Sequence, residues 1–222
     1  MGWRWRPRPT IRTQANEPGG AAPSLWLGAL GRLAGRAAHE LKNPLNGLAL
    51  NLEVVRSRSV RAGTEGAALA PFATAAAREL ERAIPLVEAL LALARPLSNP
   101  VDLRLAMQPL LVLYRAIAKA GGGSLDVVYE TEHMFVTVDG DTVRALVAES
   151  LDVSVGANLE VAGRVAESDR AISLRLVGGA GRPIAPRMEQ LAAAHDIRLN
   201  PDEDETLLLM PALARAGADS NT

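Results

Sequence analysis

The residues of this chain best suited to chemistry lie in the stretch HELKNPL, residues 39–45. It begins with His39, one of only three histidines among 222 residues, and Glu40 follows directly. A neutral imidazole can attack phosphorus through one ring nitrogen when the other ring nitrogen carries the proton. The Glu40 carboxylate can accept a hydrogen bond from that proton-bearing nitrogen and fix the tautomer. The pair therefore has the composition of a nucleophile and its base.

Polar residues around His39 share one face of a predicted helix. They recur at steps of four and three, namely Arg32, Arg36, His39, Asn43 and Asn46. A heptad seam of apolar residues occupies another face, namely Ala34, Ala38, Leu41, Leu45, Leu48, Leu52 and Val55. We therefore expect His39 to be exposed. The helical spacing alone would favour the interpretation that His39 is exposed and has no function. The residues next to His39 weigh against that interpretation.

Those neighbours can act on a phosphoryl group. Arg36, Lys42 and Asn43 can offset phosphate charge or hold a reacting oxygen. Pro44 has no N–H, so the carbonyl of Glu40 loses its helical partner and the helix should bend there. A bend beside the nucleophile can make room for a docking protein, although a tolerated kink in a long helix is an equally simple explanation.

The helices that carry this site form a predicted hairpin over residues 24–97. Ser24 is a plausible N-cap of the first helix. The second helix presents an apolar face and contains Pro85, which should kink it. That face comprises Leu80, Ile84, Val87, Leu91 and Ala94. Because one hairpin leaves part of its seam open, we expect two copies to form a four-helix bundle as a homodimer.

Residues 98–213 have a different pattern. Helical segments alternate with stretches that read as strands, such as the β-branched SLDVVYET and the last strand, ETLLLMPA. The chain is therefore predicted to be α+β, with a helical layer on a small sheet after the hairpin. Residues 214–222 form a predicted tail. The acidic run 202–205 is predicted to be a solvated loop.

Composition excludes several functions. The net charge is −1 and cysteine is absent, so neither nucleic-acid binding nor a thiolate metal site is expected. The histidines, including His133 and His195, show no metal-ligand spacing. No apolar run is long enough for a membrane span, and a cytoplasmic location is expected. Residues 1–23 are predicted to be a disordered basic tail, and their alternating Trp and Arg residues alternatively suit an anionic membrane surface.

The stretch at residues 39–45 resembles the phosphoacceptor box of bacterial two-component histidine kinases with a dimerisation and histidine-phosphotransfer hairpin. Residues 77–96, ARELERAIPLVEALLALARP, resemble the second helix of that hairpin. The resemblance implies that His39 receives a phosphoryl group at nitrogen and that Glu40 assists proton transfer. It also implies that Asn43 orients water or an aspartyl phosphate. The implied partner is a response-regulator receiver domain.

The second domain resembles the Bergerat-type ATPase domain of the same family in outline, but its nucleotide boxes are degenerate. Glu149 and Val153 occupy the positions where two asparagines are expected, and valine cannot ligate magnesium. In the sequence VGGAG, Gly179 and Gly181 match the adenine box, whereas Val177 replaces its aspartate. No glycine-rich lid follows. We therefore expect no cofactor bound by this chain, and magnesium is expected to come from the receiver.

The combined pattern resembles dimeric histidine phosphotransferases of phosphorelays, which use no ATP. It implies that His39 exchanges phosphoryl groups with receiver aspartates. Two alternatives remain open at this point. One is a divergent sensor kinase that autophosphorylates on His39 or acts with an intact histidine kinase, and the other is a non-enzymatic dimeric scaffold that binds a response regulator.

Overall fold

Two long helices open the part of the chain that the structure describes. A computed structural model describes residues 21–61, 63, 65–129, 134–154, 159–165, 171–177, 185–201 and 205–213. Helix α1 spans Ala21–Ser59, and helix α2 spans Gly66–Leu93 and packs along it. This is the predicted hairpin. Because α1 already begins at Ala21, the prediction that Ser24 is its N-cap is wrong. The tryptophans and arginines of the predicted tail lie outside the described residues.

A small α+β domain follows the hairpin, as predicted. Its elements are β1 Val101–Asp102, α3 Leu103–Ala120, β2 Leu125–Tyr129, β3 Phe135–Val136, α4 Gly140–Ser154, β4 Leu159–Val165, β5 Ala171–Val177, α5 Pro186–Ala194, β6 Arg198–Pro201 and β7 Glu205–Pro211. Five strands form one sheet in the order β2-β4-β5-β7-β6. Strand β2 is parallel to β4, and the other neighbours are antiparallel. Strands β1 and β3 pair separately.

Strands β1 and β6 were not predicted from the sequence. Both are short, and pairing with another strand defines them more than their own sequence does, since β1 pairs with β3 and β6 with β7. Glu205 was included both in the predicted solvated loop and at the start of the predicted strand ETLLLMPA. The strand prediction is confirmed, since Glu205 begins β7, where it lies opposite Val177 of β5. Residues 202–204 of the same acidic run lie outside the described residues.

One hydrophobic core joins the hairpin to the second domain. Alternate residues of β5 are buried, as expected for a sheet with one covered face. Trp26 and Leu33 of α1 and Leu93 of α2 belong to the same buried cluster as Met107 of α3 and Leu146 of α4. The second domain is therefore packed directly on the hairpin. The predicted domain boundary between residues 97 and 98 therefore separates two segments of the chain that share one hydrophobic core.

The hairpin carries two apolar faces, of which one is used within the chain. The buried face of α2 comprises Ala76, Ala83, Leu86, Ala89 and Leu93. The face predicted from the sequence is largely exposed instead, with Leu80 and Ile84 each 45% exposed and Leu91 61% exposed. On α1, the predicted seam residues Leu45 and Leu52 are 44% and 51% exposed. The predicted faces are therefore only partly packed within one chain, and their exposed residues are available to another copy.

Arg144 of α4 ties the second domain to the end of α2. Its guanidinium donates hydrogen bonds to the carbonyl oxygens of Ala92 at 3.3 Å, Leu93 at 3.3 Å and Arg95 at 2.7 Å. Its other side faces the Trp26 ring, 5.7 Å from the ring centroid. A cation is favourable here because the last carbonyls of a helix have no intrahelical donor and carry partial negative charge.

None of the helices in the described part of the chain combines the length and the apolar character that crossing a membrane requires.

Candidate functional site

His39 lies near the middle of α1, with an exposed side chain, as the helical stripe predicted. Lys42, Asn43 and Asn46 are exposed along the same part of the helix, and Glu40 is half-buried. The exposed side chains among them can be reached from solution, as transfer of a phosphoryl group from a partner protein would require. Their roles as nucleophile, base and phosphate ligands stay predictions.

Pro44 is buried, and α1 continues through it to Ser59 without a break. Proline removes one N–H from the helical ladder, so the carbonyl of Glu40 lacks its usual backbone donor. The buried ring packs inside the hairpin instead of forming part of the exposed surface. Its predicted role in partner docking would therefore be indirect, through the position of the residues around His39.

The two arginines before His39 form ion pairs with α4. Arg32 donates to the carboxylate of Glu149, and its Nε lies 3.2 Å from Oδ2 of Asp152. Arg36 Nη1 lies 3.0 Å from Oδ1 of Asp152. Both carboxylates are only 11% exposed, whereas the arginines are about two-fifths exposed, at 42% and 41%. Burial acts to lower the pKa of Arg32, but its hydrogen bonds to the two acids outweigh burial and raise that pKa.

Tyr114 of α3 lies behind this cluster. Its hydroxyl donates toward Oδ1 of Asp152 at 2.5 Å and lies 2.9 Å from the carbonyl oxygen of Ala148. Burial, followed by the nearby Asp152 carboxylate, raises the pKa of Tyr114 far above its usual value. The phenol therefore stays protonated at any physiological pH and serves as a donor. Asp152 in consequence accepts hydrogen bonds from three side chains, Tyr114, Arg32 and Arg36.

The predicted nucleotide boxes are only partly described. Glu149 is buried and ion-paired with Arg32, and Arg187 of α5 lies 3.6 Å from the same carboxylate oxygen. Val177 ends β5 and is half-buried. The side chain of Val153, and Gly179 and Gly181, lie outside the described residues.

Magnesium prefers anionic and neutral oxygen ligands. At the predicted boxes, the described carboxylate is Glu149, and two arginines already neutralise it. The side chain of Val177 offers no oxygen. The expectation that this chain binds no magnesium nucleotide stays a prediction.

His195, the other described histidine, is the C-cap of α5 and lies against the start of α4. Asp139 caps this helix, because its carboxylate accepts hydrogen bonds from the backbone N–H and the hydroxyl of Thr142 at 2.9 Å and 2.5 Å. The ring of His195 lies 3.3 Å from that hydroxyl and 3.7 Å from the Asp139 carboxylate. Across the described residues, no group of three or more histidines and acids could hold a metal ion. His133 lies outside these residues.

Sequence reasoning missed Asp152, Tyr114 and Arg144. Arg32 and Arg36 were placed correctly on an exposed stripe, but their partners lie 116 to 120 residues away in the chain. The only available signal was a pair of acids, Glu149 and Asp152, at a spacing of three on the same helix. Such a pair faces one side of a helix and indicates a basic surface opposite, without saying where that surface is.

Comparison with protein families bears on the hairpin. Residues 29–99 match the family model of the His Kinase A (phospho-acceptor) domain. The hairpin is a phospho-acceptor domain of the two-component histidine kinase family. The match covers both helices and includes the stretch around His39. No curated protein sequence matches the chain at a significant level.

Solved structures give weaker likenesses, which extend beyond the phospho-acceptor domain. Full-length ShkA in complex with AMPPNP is 14% identical, with a TM-score of 0.43 over 84% of this chain and 47% of that chain. A bacterial phosphotransferase is 14% identical, with a TM-score of 0.42 over 81% of this chain and 94% of that one. The blue-light activated histidine kinase EL346 of Erythrobacter litoralis is 14% identical, with a TM-score of 0.41 over 84% and 64%. The chain thus spans about half of ShkA and less than two thirds of EL346.

Proposed function

We propose that this protein is a histidine phosphotransferase of a phosphorelay, which carries a phosphoryl group on His39 to or from receiver aspartates without using ATP. The phospho-acceptor domain supports the two-component role. The observation that carries the finer proposal is the pairing of Glu149 with Arg32. A residue expected near the nucleotide is instead used to hold the second domain on the hairpin.

The position of that pair adds to the argument. Arg32 precedes His39 by seven residues, which is about 10 Å along a helix with a rise of about 1.5 Å per residue. The face of α4 that would support a nucleotide therefore packs on α1 about two turns away from the acceptor. Autophosphorylation would require this face to leave Arg32 and Arg36, so that its carboxylates are released from their ion pairs.

The transfer itself needs only groups near His39 and those of the receiver. The unprotonated ring nitrogen attacks phosphorus in line, a P–N bond forms, and the P–O bond to the receiver aspartate breaks. The aspartate leaves as a carboxylate. The other ring nitrogen donates its proton toward Glu40, which spreads the positive charge of the phosphoimidazolium. Lys42 and Asn43 lie exposed where they can meet the phosphoryl oxygens.

The partners follow from the same chemistry. The receiver supplies its own aspartate and magnesium, so the chain needs no metal of its own. A second copy of the chain is expected to cover the exposed apolar faces of the hairpin, since phospho-acceptor domains of this kind typically dimerise. We place this exchange in the cytoplasm.

The test is phosphotransfer from a receiver. The chain is incubated with a receiver that carries radiolabelled aspartyl phosphate, without ATP. We expect label on the wild type and none on His39→Gln. The matched control is His195→Gln, since His195 caps the end of α5 and contacts the start of α4, and its replacement should leave the labelling intact. Equal labelling of wild type and His39→Gln would contradict the proposal.

The two alternatives predict different results in the same assay. A divergent sensor kinase would transfer label from ATP to His39 with no receiver present. A non-enzymatic scaffold would bind a receiver with an affinity that His39→Ala leaves unchanged, and neither donor would label it. Label from ATP alone would therefore replace our proposal with the first alternative.

A further inference from the structure

We propose that Asp152 is a positioning residue for phosphoryl transfer at His39. It holds Arg36 beside the acceptor, so that the second domain takes part in the reaction without binding nucleotide. The inference rests on His39 as the phosphoryl acceptor, which is common to the phosphotransferase and the kinase alternative. It gives the degenerate second domain a chemical role.

Arg36 and His39 are neighbours on one face of α1. Residues three apart on a helix have Cβ atoms about 5–6 Å from each other, which is within reach of an arginine side chain. The guanidinium offers five N–H donors in a fixed plane, and the ion pair with Asp152 uses Nη1. The remaining donors can therefore meet phosphoryl oxygens while the pair stays intact.

Fixing such a side chain in advance has a kinetic benefit. A free arginine loses its rotamer freedom when it binds an oxygen, and this loss raises the barrier to the reaction. Arg36 is 41% exposed, so little besides its partner restrains it. The carboxylate of Asp152 removes part of this freedom before the phosphoryl group arrives, which is how preorganised donors lower a barrier.

Asp152 is itself fixed from the interior of the second domain. Tyr114 is 2% exposed, and its hydroxyl lies 2.5 Å from the same Oδ1 atom that accepts the hydrogen bond of Arg36. Arg32 engages the other carboxylate oxygen at 3.2 Å. A line of contacts thus runs from buried Tyr114 through Asp152 to exposed Arg36, one turn before His39.

Glu149 provides the natural comparison on the same helix. It is equally shielded and also pairs with α1, but its partners are Arg32 and Arg187. It therefore helps to hold the two domains together without touching Arg36. If the acids of α4 acted only by fastening the domains, loss of either carboxylate would have the same effect on transfer at His39.

The experiment loads the full-length chain from phosphoramidate, a small donor that needs neither receiver nor nucleotide. The P–N bond to ammonia breaks, a bond from phosphorus to the ring nitrogen of His39 forms, and ammonia leaves. We expect Asp152→Asn to load about tenfold more slowly, and the matched Glu149→Gln to stay within about twofold of the wild type. Asp152→Glu should recover part of the rate. Thermal unfolding of each variant checks that the fold persists.

A double-mutant cycle separates positioning from a structural effect. We expect Arg36→Gln to be slow, and Arg36→Gln with Asp152→Asn to be no slower, because Asp152 acts through Arg36. An unchanged rate in Asp152→Asn, or the same slowing in the Arg36→Gln background, would overturn the inference. If phosphoramidate reproduces the cycle but receivers do not label His39, the inference stands and the phosphotransferase proposal fails. A wild type that neither donor labels overturns both.

Discussion

The arginines that join the hairpin to α4 differ in their partners. Arg32 and Arg36 pair with carboxylates at the edge of the domain interface. Arg144 is 3% exposed, and it donates hydrogen bonds to neutral carbonyl groups. Burial lowers the pKa of Arg144, against a smaller opposing effect of Asp141. The cost of burying this charge is offset by the partial negative charge at the end of α2.

Arg144 is therefore expected to matter for stability. Arg144→Met fills a similar volume but leaves the carbonyls of Ala92, Leu93 and Arg95 without this donor. We expect the free energy of unfolding to fall by about 2–4 kcal/mol, since hydrogen bonds from charged donors contribute about 1.5–3 kcal/mol each and the buried charge is removed at the same time. Urea denaturation measures the change.

Arg82→Met is the matched control for this prediction. Arg82 is 70% exposed and pairs with Glu79 at a spacing of three on α2. Exposed pairs of this kind contribute about 0–1 kcal/mol. Equal losses in the two variants would mean that the hydrogen bonds of Arg144 add nothing beyond an ordinary surface arginine.

At the scale of elements, periodicity predicted most helices and strands, because each has a local pattern. The 3.6-residue period located α1 and α2, and β-branched, partly alternating residues located β2. Pattern could not show which apolar face of α2 turns inward, since Leu86 and Ile84 are equally apolar and only packing within the folded chain decides between them. Nor could it pair Arg36 with Asp152. The stripe around His39 was predictable because it lies within one helix.

The start of α4 packs closely on the segment after α2, and this contact depends on a glycine. A Cβ atom on Gly140 would lie 2.7 Å from Cβ and 2.8 Å from Cδ1 of Leu97. Gly140→Ala must displace this segment or the helix, so we expect a loss of about 1–3 kcal/mol in unfolding free energy. The same denaturation assay applies.

Gly66 supplies the control for this contact. It is likewise the first residue of its helix, α2, but a Cβ atom there would meet nothing within 4 Å. Gly66→Ala should leave stability unchanged or raise it by up to about 1 kcal/mol, because alanine restricts the unfolded chain. A Gly140→Ala protein as stable as Gly66→Ala would show that α4 and Leu97 can separate without cost.

At the scale of the whole molecule, the exposed apolar faces of the hairpin indicate that a single chain leaves a packing surface uncovered. Leu45, Leu80, Ile84 and Leu91 are each between 44% and 61% exposed, although they follow the spacing of a helix-packing seam. Contiguous exposed apolar surface of this kind marks an interaction site. In a two-fold dimer the same faces would meet and form the four-helix bundle, and the second domains would lie on its flanks.

Ile84→Glu tests this arrangement. A carboxylate at the centre of the seam would be buried without a partner, and two-fold symmetry places it there twice. We expect the dimer dissociation constant to rise at least about 100-fold, since each 1.4 kcal/mol is a factor of ten. Sedimentation equilibrium measures it. Leu105→Glu is the control, because Leu105 of α3 is even more exposed, at 61%, but lies outside the hairpin. If Leu105→Glu weakened the dimer and Ile84→Glu did not, the dimer interface would lie on the second domain instead.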